Sequence, residues 1–423
     1  MNDLEATPDS AGTPPPAAAH DPYAVLRNRD VVLYLVGRLF ASFGQQMLTV
    51  AIGWELYERT HSALALGLVG LTQMLPMILF TLPAGHVADN YDRQRIIVLM
   101  TLVIACASLG LTLISALGAD VFWIYFCLFT AGTARTFLWP ASSAFLPHLV
   151  SRRDFSRAVT WSSGSFQLSS VAGPAAGGAL IALTHHAAPV YAFNTAAALI
   201  CLTLISFVRR RHTVAVKKKM TARSLVVGFQ FVFASPIILG TITLDLFAVL
   251  LGGATALLPV YAKDILKVGP TGLGFLQAAL PMGSLLCALI LAHRPPLQKA
   301  GRAMLLAVTG FGLATIAFGF SRWFWLSFLM LFACGAVDNI SVVVRHTLVQ
   351  LLTPDEKRGR VSAVNSLFIG TSNELGGFES GLVAYLLGPV FSVVSGGIGT
   401  ILVVVAVAAI WPEIRKYGRL DAG

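Results

Sequence analysis

The feature that most constrains this chain is a series of long apolar segments separated by short polar loops. A helix needs roughly 20 mostly apolar residues to cross a bilayer. The chain has about twelve such segments, at residues 31–57, 62–84, 96–118, 121–147, 158–183, 188–208, 236–261, 271–293, 302–320, 323–351, 361–388 and 390–411. Because lipid satisfies no backbone hydrogen bonds and barrel strands are much shorter, these segments must be helices. The sequence therefore predicts an all-α membrane protein with about twelve transmembrane helices.

The composition excludes other classes of protein. Apolar residues occupy 56% of the 423 positions and charged residues 12%, about half the charged share of a soluble domain. Mean hydropathy is +0.74. A soluble fold of this size would leave much of that apolar surface in water, and a disordered chain requires the opposite composition.

Lysine and arginine are unevenly distributed between the two sides of the predicted bundle. Of the 30 in the chain, those in loops opposite the termini are Arg59, Lys263, Lys267 and Arg322. Those inside apolar segments are Arg38, Arg135 and Arg345. All others lie in the tails or in loops on the side of the termini, and such loops are cytoplasmic. We therefore predict a multi-pass protein of the bacterial inner (plasma) membrane with both termini cytoplasmic. The net charge of +10 is then explained by this topology and by attraction to anionic lipids, and it does not indicate binding to nucleic acid.

Several chemistries have no support in the sequence. The five cysteines all lie in apolar segments and form no C-x-x-C pair, so we expect packing residues, without a disulfide, a metal site or a cofactor. No G-x-x-x-x-G-K-[ST] loop of an ATP-driven pump occurs, and the H-E-x-x-H and G-x-S-x-G motifs of hydrolases are also absent from the sequence. The sequence therefore does not predict an enzyme.

The chain divides into two blocks of six segments. We predict a disordered cytoplasmic tail at 1–29, a six-helix bundle at 30–208, a basic cytoplasmic linker at 209–235, a second six-helix bundle at 236–411 and a cytoplasmic tail at 412–423. The linker carries Leu225, Phe229 and Val232 at helical spacing, which predicts a helix at the membrane surface.

An internal repeat supports this division. At one constant offset along the chain, six identities pair the fourth and fifth segments with the tenth and eleventh. They are Gly132 with Gly335, Leu149 with Leu352, Arg157 with Arg360, Ser163 with Ser366, Gly173 with Gly376, and Gly178 with Gly381. Parallel repeats of six helices are typical of one class of secondary transporters, with the substrate site between the halves.

The loop after the second segment has a recognisable pattern. It reads Gly85-His86-Val87-Ala88-Asp89-Asn90-Tyr91-Asp92-Arg93-Gln94-Arg95. It resembles the signature loop of the major facilitator superfamily, G-x-x-x-D-x-x-G-R-[RK], at Gly85, Asp89 and Arg93. Asp92 replaces the second glycine, and Arg95 stands one position after the expected basic residue. The resemblance implies a cytoplasmic gate, in which a carboxylate at a helix end holds a facing helix or an arginine.

The fifth segment carries a second motif. Gly173, Pro174, Gly177 and Gly178 resemble the G-P-x-x-G-G end of the motif that marks exporters in the superfamily. Proline bends a helix and glycines allow helices to approach closely. The resemblance implies export rather than uptake.

Ionisable and strongly polar residues inside the segments are candidates for the site, because such groups are costly in lipid. The candidates for the cavity or for ion coupling are Arg38, Arg135, Asp245, Asp338, Arg345, Asn373, Glu374 and Glu379. Six aromatic residues are candidates for ligand-binding surface: Phe40, Phe43, Trp54, Phe126, Trp139 and Trp161. A buried carboxyl that exchanges a proton with water would make the protein a proton antiporter. The spacing does not select one of the acids.

Runs in the second half resemble the enterobactin-exporter branch of the superfamily. They are Arg345 to Gln350, Thr353 to Asp355, Arg358 to Val361, Asn373 to Gly376 and Glu379 to Gly381. The branch implies an exporter of a small amphiphilic molecule, a siderophore or a drug, and thus efflux of the kind behind multidrug resistance. We expect the protein to be a monomer. The alternative is a proton-coupled uptake carrier for a small nutrient.

Overall fold

The computed structural model describes residues 23–209, 222–295 and 298–418. These residues fold into twelve long helices, numbered here in chain order, with short helices between and beside them. The first six are α1 (Arg29–Thr60), α2 (Ala63–Asn90), α3 (Arg93–Leu117), α4 (Val121–Leu149), α5 (Phe155–Thr184) and α6 (Ala188–Ser206). The second six are α7 (Pro236–Leu251), α8 (Gly269–Ala292), α9 (Ala300–Phe320), α10 (Phe324–Leu352), α11 (Asp355–Leu387) and α12 (Pro389–Ile410).

Most of these helices are suited to a bilayer. Within the described ranges, 11 helices are long and apolar enough to cross a membrane, with α7 counted through its irregular extension to Ile265. The remaining long helix is α11, which has 33 residues but a polar sequence. It carries Asn373, Glu374 and Glu379, and it packs along α2 and α7 inside the bundle. The prediction of an all-α membrane protein is confirmed, and α11 is polar because part of its surface faces a cavity.

The two halves repeat one packing pattern. In the first half, α1 packs against α5 and α6, α3 against α4 and α6, and α2 against α4. In the second half, α7 packs against α11 and α12, α9 against α10 and α12, and α8 against α10. The partners correspond helix by helix, as expected for a parallel repeat of six helices.

Two seams join the halves, α2 with α11 and α5 with α8. At each seam two glycines lie opposite one another. A Cβ added to Gly67 would lie 3.1 Å from the Cα of Gly381, and one added to Gly178 would lie 3.1 Å from the Cα of Gly274. Such close helix contact requires residues without side chains. All four glycines lie near the end of the bundle opposite the termini, which we call the closed end.

The closed end also carries polar contacts between α1 and the extension of α7. The Tyr57 hydroxyl donates a hydrogen bond to the Asp264 carboxylate. The Lys263 ammonium lies 3.8 Å from the Glu58 carboxylate and 5.7 Å from the centre of the Trp54 ring. Together with the glycine seams, these contacts hold the halves together at this end.

The linker between the halves contains one described helix, Ala222–Ala234. The Phe229 and Phe368 rings lie 5.8 Å apart, and Val232 is buried with Ile238 and Val361. The apolar face predicted to lie on the membrane surface therefore packs on α7 and α11 at these two positions. The side chain of Leu225 and the basic residues 210–221 lie outside the described residues, as do 1–22 and 419–423 of the two tails.

Candidate substrate cavity

A cavity of about 430 Å³ lies between the two halves. Its lining comes from α1, α2 and α5 of the first half and from α8, α11 and the extension that follows α7 in the second. Its polar lining consists mainly of six side chains: Gln45, Gln46, Gln73, Gln277, Asn373 and Glu374. Binding sites between helical repeats are typical of secondary transporters.

The polar and apolar residues of the lining lie at different depths. Helix α1 runs toward the closed end, so Gln45 and Gln46 lie nearer the termini than Ile52. Helix α2 runs the opposite way, and Leu66 and Val69 accordingly lie nearer the closed end than Gln73. On α1 and α2 the cavity therefore has an apolar roof at the closed end and an amide-rich wall toward the termini. Helix α8 starts at the closed end and differs, because its Gln277 lies nearer that end than its Leu280 and Pro281.

Glu374 and Arg135 form the charged part of the site. Among the described residues that line the cavity, Glu374 is the one with an ionisable side chain. Arg135 lies behind the lining on α4, close enough to Glu374 for an electrostatic interaction. Its Nη2 donates a hydrogen bond to Oε1 of Gln73 at 2.6 Å, and its Nε donates to the Ala131 carbonyl at 3.4 Å. The structure thus places an arginine of one half beside a carboxylate of the other.

Asp245 and Arg345, two of the predicted candidates, lie away from the cavity. They form an ion pair between α7 and α10, and both side chains are buried, with 8% and 3% of their surface exposed. Removal of one partner from such a pair is strongly destabilising, because the other charge stays buried alone. This position fits a structural role within the second half.

The other predicted candidates also lie outside the cavity lining. Asp338 is half-buried on α10, and Glu379 accepts a 3.4 Å hydrogen bond from the Ser380 hydroxyl on α11. Arg38 is half-buried on α1 near Tyr34 and Cys201. The six aromatic candidates for ligand-binding surface are likewise not part of the lining, which within the described residues contains no aromatic ring.

The exporter-type motif of α5 brings three helices together. Pro174 lines the cavity. A Cβ at Gly173 would lie 3.1 Å from the Phe43 carbonyl oxygen, and one at Gly177 would lie 3.0 Å from the Met47 Cα, both on α1. Gly178 forms the seam with α8. The motif therefore lets α5 contact α1 and α8 at once, beside the cavity.

The predicted gate loop lies at the end of the bundle that carries the termini. Arg93 lies 2.9 Å from Nε2 of His148 and donates to the Ala144 carbonyl at 3.3 Å. Both partners belong to α4, so Arg93 contacts its own half. Asp89 is half-buried and Gly85 precedes it by one turn on α2. Arg95 is exposed and lies 3.8 Å from the Asp92 carboxylate.

The two departures from the family loop have local structural roles. Oδ1 of Asp92 accepts hydrogen bonds from the backbone N–H groups of Gln94 at 2.9 Å and Arg95 at 3.3 Å, so Asp92 caps the N-terminus of α3. Nε2 of Gln94 donates to the carbonyls of Ile205 and Val208, at 2.8 and 2.9 Å. These carbonyls end α6, and Gln94 therefore ties α3 to α6.

Sequence reasoning named Asn373 and Glu374 as candidates for the cavity and Pro174 as part of the exporter-type motif, and all three lie in the lining. It missed the glutamines. Gln46 donates through Nε2 to the Ser170 hydroxyl at 2.9 Å, joining α1 to α5. Gln73 binds Arg135. The sequence signal for the glutamines was weak, since a neutral amide in an apolar segment is less unusual than a charged side chain.

The contacts at the closed end were also missed. They join residues of separate segments, and no sequence motif marks those residues.

Comparisons with known proteins agree with this architecture. The family model described as transmembrane secretion effector matches residues 20–421. The enterobactin exporter EntS of Escherichia coli O1:K1 / APEC is 26% identical over 372 residues, which are 88% of this chain and 89% of the relative. EntS of Shigella boydii serotype 18 has the same identity and coverage, 26%, 88% and 89%.

Solved structures share the fold at low identity. An inward-facing, unoccupied bacterial homologue of the human lysosomal transporter Spinster has a TM-score of 0.70 at 15% identity, covering 91% of this chain and 96% of that one. The nucleoside transporter NupG has a TM-score of 0.73 at 11% identity, covering 90% of this chain and 100% of that one. This chain is therefore a multi-span membrane transporter that belongs to the transmembrane secretion effector family of the major facilitator superfamily.

Proposed function

We propose that this transporter exports a small amphiphilic molecule, of the siderophore or drug-like kind, from the cytoplasm of a bacterium in exchange for protons. The observation that carries the proposal is the cavity between the halves, with its apolar roof, its amide-rich wall and one carboxylate. An amphiphile matches such a lining, because its apolar part can meet the roof while its polar part meets the amides.

Alternating access explains how the cavity reaches both sides of the membrane. The contacts between the halves at the closed end, Tyr57 with Asp264 and Glu58 with Lys263, seal one side. On the side of the termini, Arg93 is engaged within its own half. With both termini in the cytoplasm, this is a state open to the cytoplasm. Rocking of the halves would separate the closed end and let Asp89 meet the other half.

Glu374 is the group that we assign to proton coupling. It lines the cavity, it belongs to the second half, and it faces Arg135 of the first half. Movement of the halves would change the distance between these two charges, and so the affinity of Glu374 for a proton. A substrate that binds more tightly to one protonation state of Glu374 would then couple the flux of substrate to the flux of protons.

The test uses Glu374→Gln in proteoliposomes, with Glu379→Gln on the same helix as the matched control. Two fluxes are measured for enterobactin and for an acylated peptide amide: accumulation driven by a pH gradient, and exchange without a gradient. We expect Glu374→Gln to lose accumulation and to keep exchange, and Glu379→Gln to keep both. Full gradient-driven accumulation by Glu374→Gln would contradict the assignment.

A further inference from the structure

The chemistry of the cavity lining carries an inference about the class of substrate, and this inference rests on the function proposed above. Five of the lining residues are carboxamides, on α1, α2, α8 and α11. Each carboxamide offers both a hydrogen-bond donor and an acceptor. Few ligands satisfy so many neutral amides, and those that do carry amide or hydroxyl groups of their own.

Existing hydrogen bonds leave a defined set of free groups in this wall. Nε2 of Gln46 donates a hydrogen bond to the Ser170 hydroxyl, and Nδ2 of Asn373 donates one to the Ile369 carbonyl. Oε1 of Gln73 accepts a hydrogen bond from Arg135. Each amide nitrogen carries a second N–H and each amide oxygen a second lone pair, so all three side chains keep both a donor and an acceptor. The Gln73 amide nitrogen and the amide oxygens of Gln46 and Asn373 are the groups that make no hydrogen bond among the described residues. A ligand for these groups must both donate and accept, which an anion with acceptors alone cannot do.

The charges of the site disfavour a polyanion. The one ionisable lining residue within the described chain is the acid Glu374. The cation that interacts with Glu374, Arg135, already donates a hydrogen bond to Gln73. A ligand with several negative charges would lose its hydration and meet a carboxylate without a free cation in compensation.

The apolar part of the lining is aliphatic. The roof is formed by six residues: Ile52, Leu66, Val69, Pro174, Leu258 and Pro259. The aromatic rings beside the lining on α1 have other partners, since Phe43 packs on Phe193 at 5.9 Å and Trp54 lies under Lys263. A planar aromatic ligand would therefore find no ring to stack against, whereas an alkyl chain matches the roof.

We propose that the substrate is a neutral or singly cationic amphiphile with an aliphatic body and a head rich in amide or hydroxyl groups, such as an N-acylated short peptide amide. The aliphatic body lies against the roof at the closed end, and the head lies against the amide wall toward the termini. A catecholate polyanion does not belong to this class.

The experiment measures binding of three matched probes to the full chain in lipid nanodiscs by calorimetry. The probes are octanoyl-diglycinamide, octanoyl-diglycine with a free carboxylate, and 2,3-dihydroxybenzoyl-diglycinamide. We expect the first to bind at least tenfold more tightly than the other two. Equal or tighter binding of the carboxylate or the catechol, or no binding of any probe by folded protein, would overturn the proposal.

Three variants test the groups that the proposal invokes. Asn373→Leu and Gln277→Leu should each weaken binding of octanoyl-diglycinamide by about tenfold, the size of a lost hydrogen bond at the upper end of its usual range. Gln350→Leu changes an exposed residue outside the cavity and should leave the affinity for octanoyl-diglycinamide unchanged. Glu374→Gln should bring the carboxylate probe closer in affinity to the amide. Unchanged binding in both cavity variants would overturn the assignment of the head to the amide wall.

The outcome for substrate class is separable from the outcome for transport. If a catecholate is exported in exchange for protons, the proposed function stands and the substrate class is wrong. If octanoyl-diglycinamide binds with the expected preference but is never accumulated against a gradient, the substrate class stands and the proposed function is wrong.

Discussion

Gln73 has a specific place between the two charges of the cavity. Its Oε1 accepts a hydrogen bond from Arg135 at 2.6 Å, while Arg135 also interacts with Glu374. Under the proposed coupling, protonation of Glu374 would take away the anionic partner of the arginine and leave it the amide. A buried arginine without any partner would be costly. In that proposal Gln73 makes both protonation states of Glu374 accessible.

Asp89 and Asp92 lie three residues apart and should respond oppositely to substitution. Asp92 caps α3, so Asp92→Ala should lower the stability of the fold by about 1 kcal/mol while leaving transport per folded molecule unchanged. Asp89→Asn should leave stability unchanged and slow transport, because it removes a contact worth about 1–3 kcal/mol in the other conformational state. Thermal unfolding and proteoliposome flux measure the two effects.

The opposite pattern would refute the gate. If Asp89→Asn transports at the rate of the unmodified chain at equal expression, Asp89 is an ordinary loop charge. If Asp92→Ala slows transport without destabilisation, the cap is part of the gate.

Residue types alone predicted part of the site. Glu374 and Asn373 stood out because polar groups are rare in apolar segments, and both line the cavity. Asp245 stood out for the same reason, yet it pairs with Arg345 on another helix. Spacing along one helix cannot reveal a partner on a second helix. The sequence therefore ranked these acids equally, and their packing separates them.

The sequence predicted helix α11 together with its polar environment, whereas for the linker helix it predicted the helix but not the surface on which it packs. Its length and its place in the repeat predicted a helix at 361–388, and the structure has one at Asp355–Leu387. Its polarity predicted contact with a wet cavity, which Asn373, Glu374 and Gly377 make. The linker helix differs, because its apolar face matches a membrane surface and a protein surface equally well. Only its position beside α11 decides between them.

The seam between α5 and α8 should depend on its glycines. Gly178→Ala places a methyl group 3.1 Å from the Cα of Gly274, whereas Gly164→Ala on the same helix meets nothing within 4 Å. We expect Gly178→Ala to weaken closure and widen the distance between the halves at the closed end. Spin labels at His186→Cys and Leu387→Cys, both exposed there, measure that distance in a background without the native cysteines.

Gly164→Ala is the control and should keep the distance distribution of the unmodified chain. An unchanged distribution in Gly178→Ala as well would mean that the seam tolerates a side chain, and that close approach at this glycine does not set the closed state.

The topology of the molecule rests on the distribution of its basic residues. Both termini and the linker are predicted to be cytoplasmic, whereas the closed end is predicted to face outward. The cysteine introduced by Lys218→Cys should react with a membrane-impermeant maleimide only after the cell is opened. His186→Cys, in the loop between α5 and α6, should react in intact cells. Labelling of Lys218→Cys in intact cells would reverse the orientation and the assignment of the gate.

The fold was accessible from the sequence because long apolar segments and a repeat of six helices leave few alternatives. The family was accessible through a resemblance, that of the loop from Gly85 to Arg95 and of the runs in the second half to known motifs. The conformational state was not accessible, because under the alternating access proposed above the same residues form two sets of contacts. The contacts of Tyr57 with Asp264 and of Glu58 with Lys263 belong to one such set.

Accumulation in everted inner-membrane vesicles tests the central claim most directly. Vesicles from cells that express the chain are energised to an acidic interior and given enterobactin or octanoyl-diglycinamide. Because the cytoplasmic side faces the buffer, an exporter that exchanges substrate for protons should concentrate at least one probe inside, and a protonophore should abolish this. Accumulation no greater than in vesicles without the protein, or accumulation unaffected by the protonophore, would contradict proton-driven export.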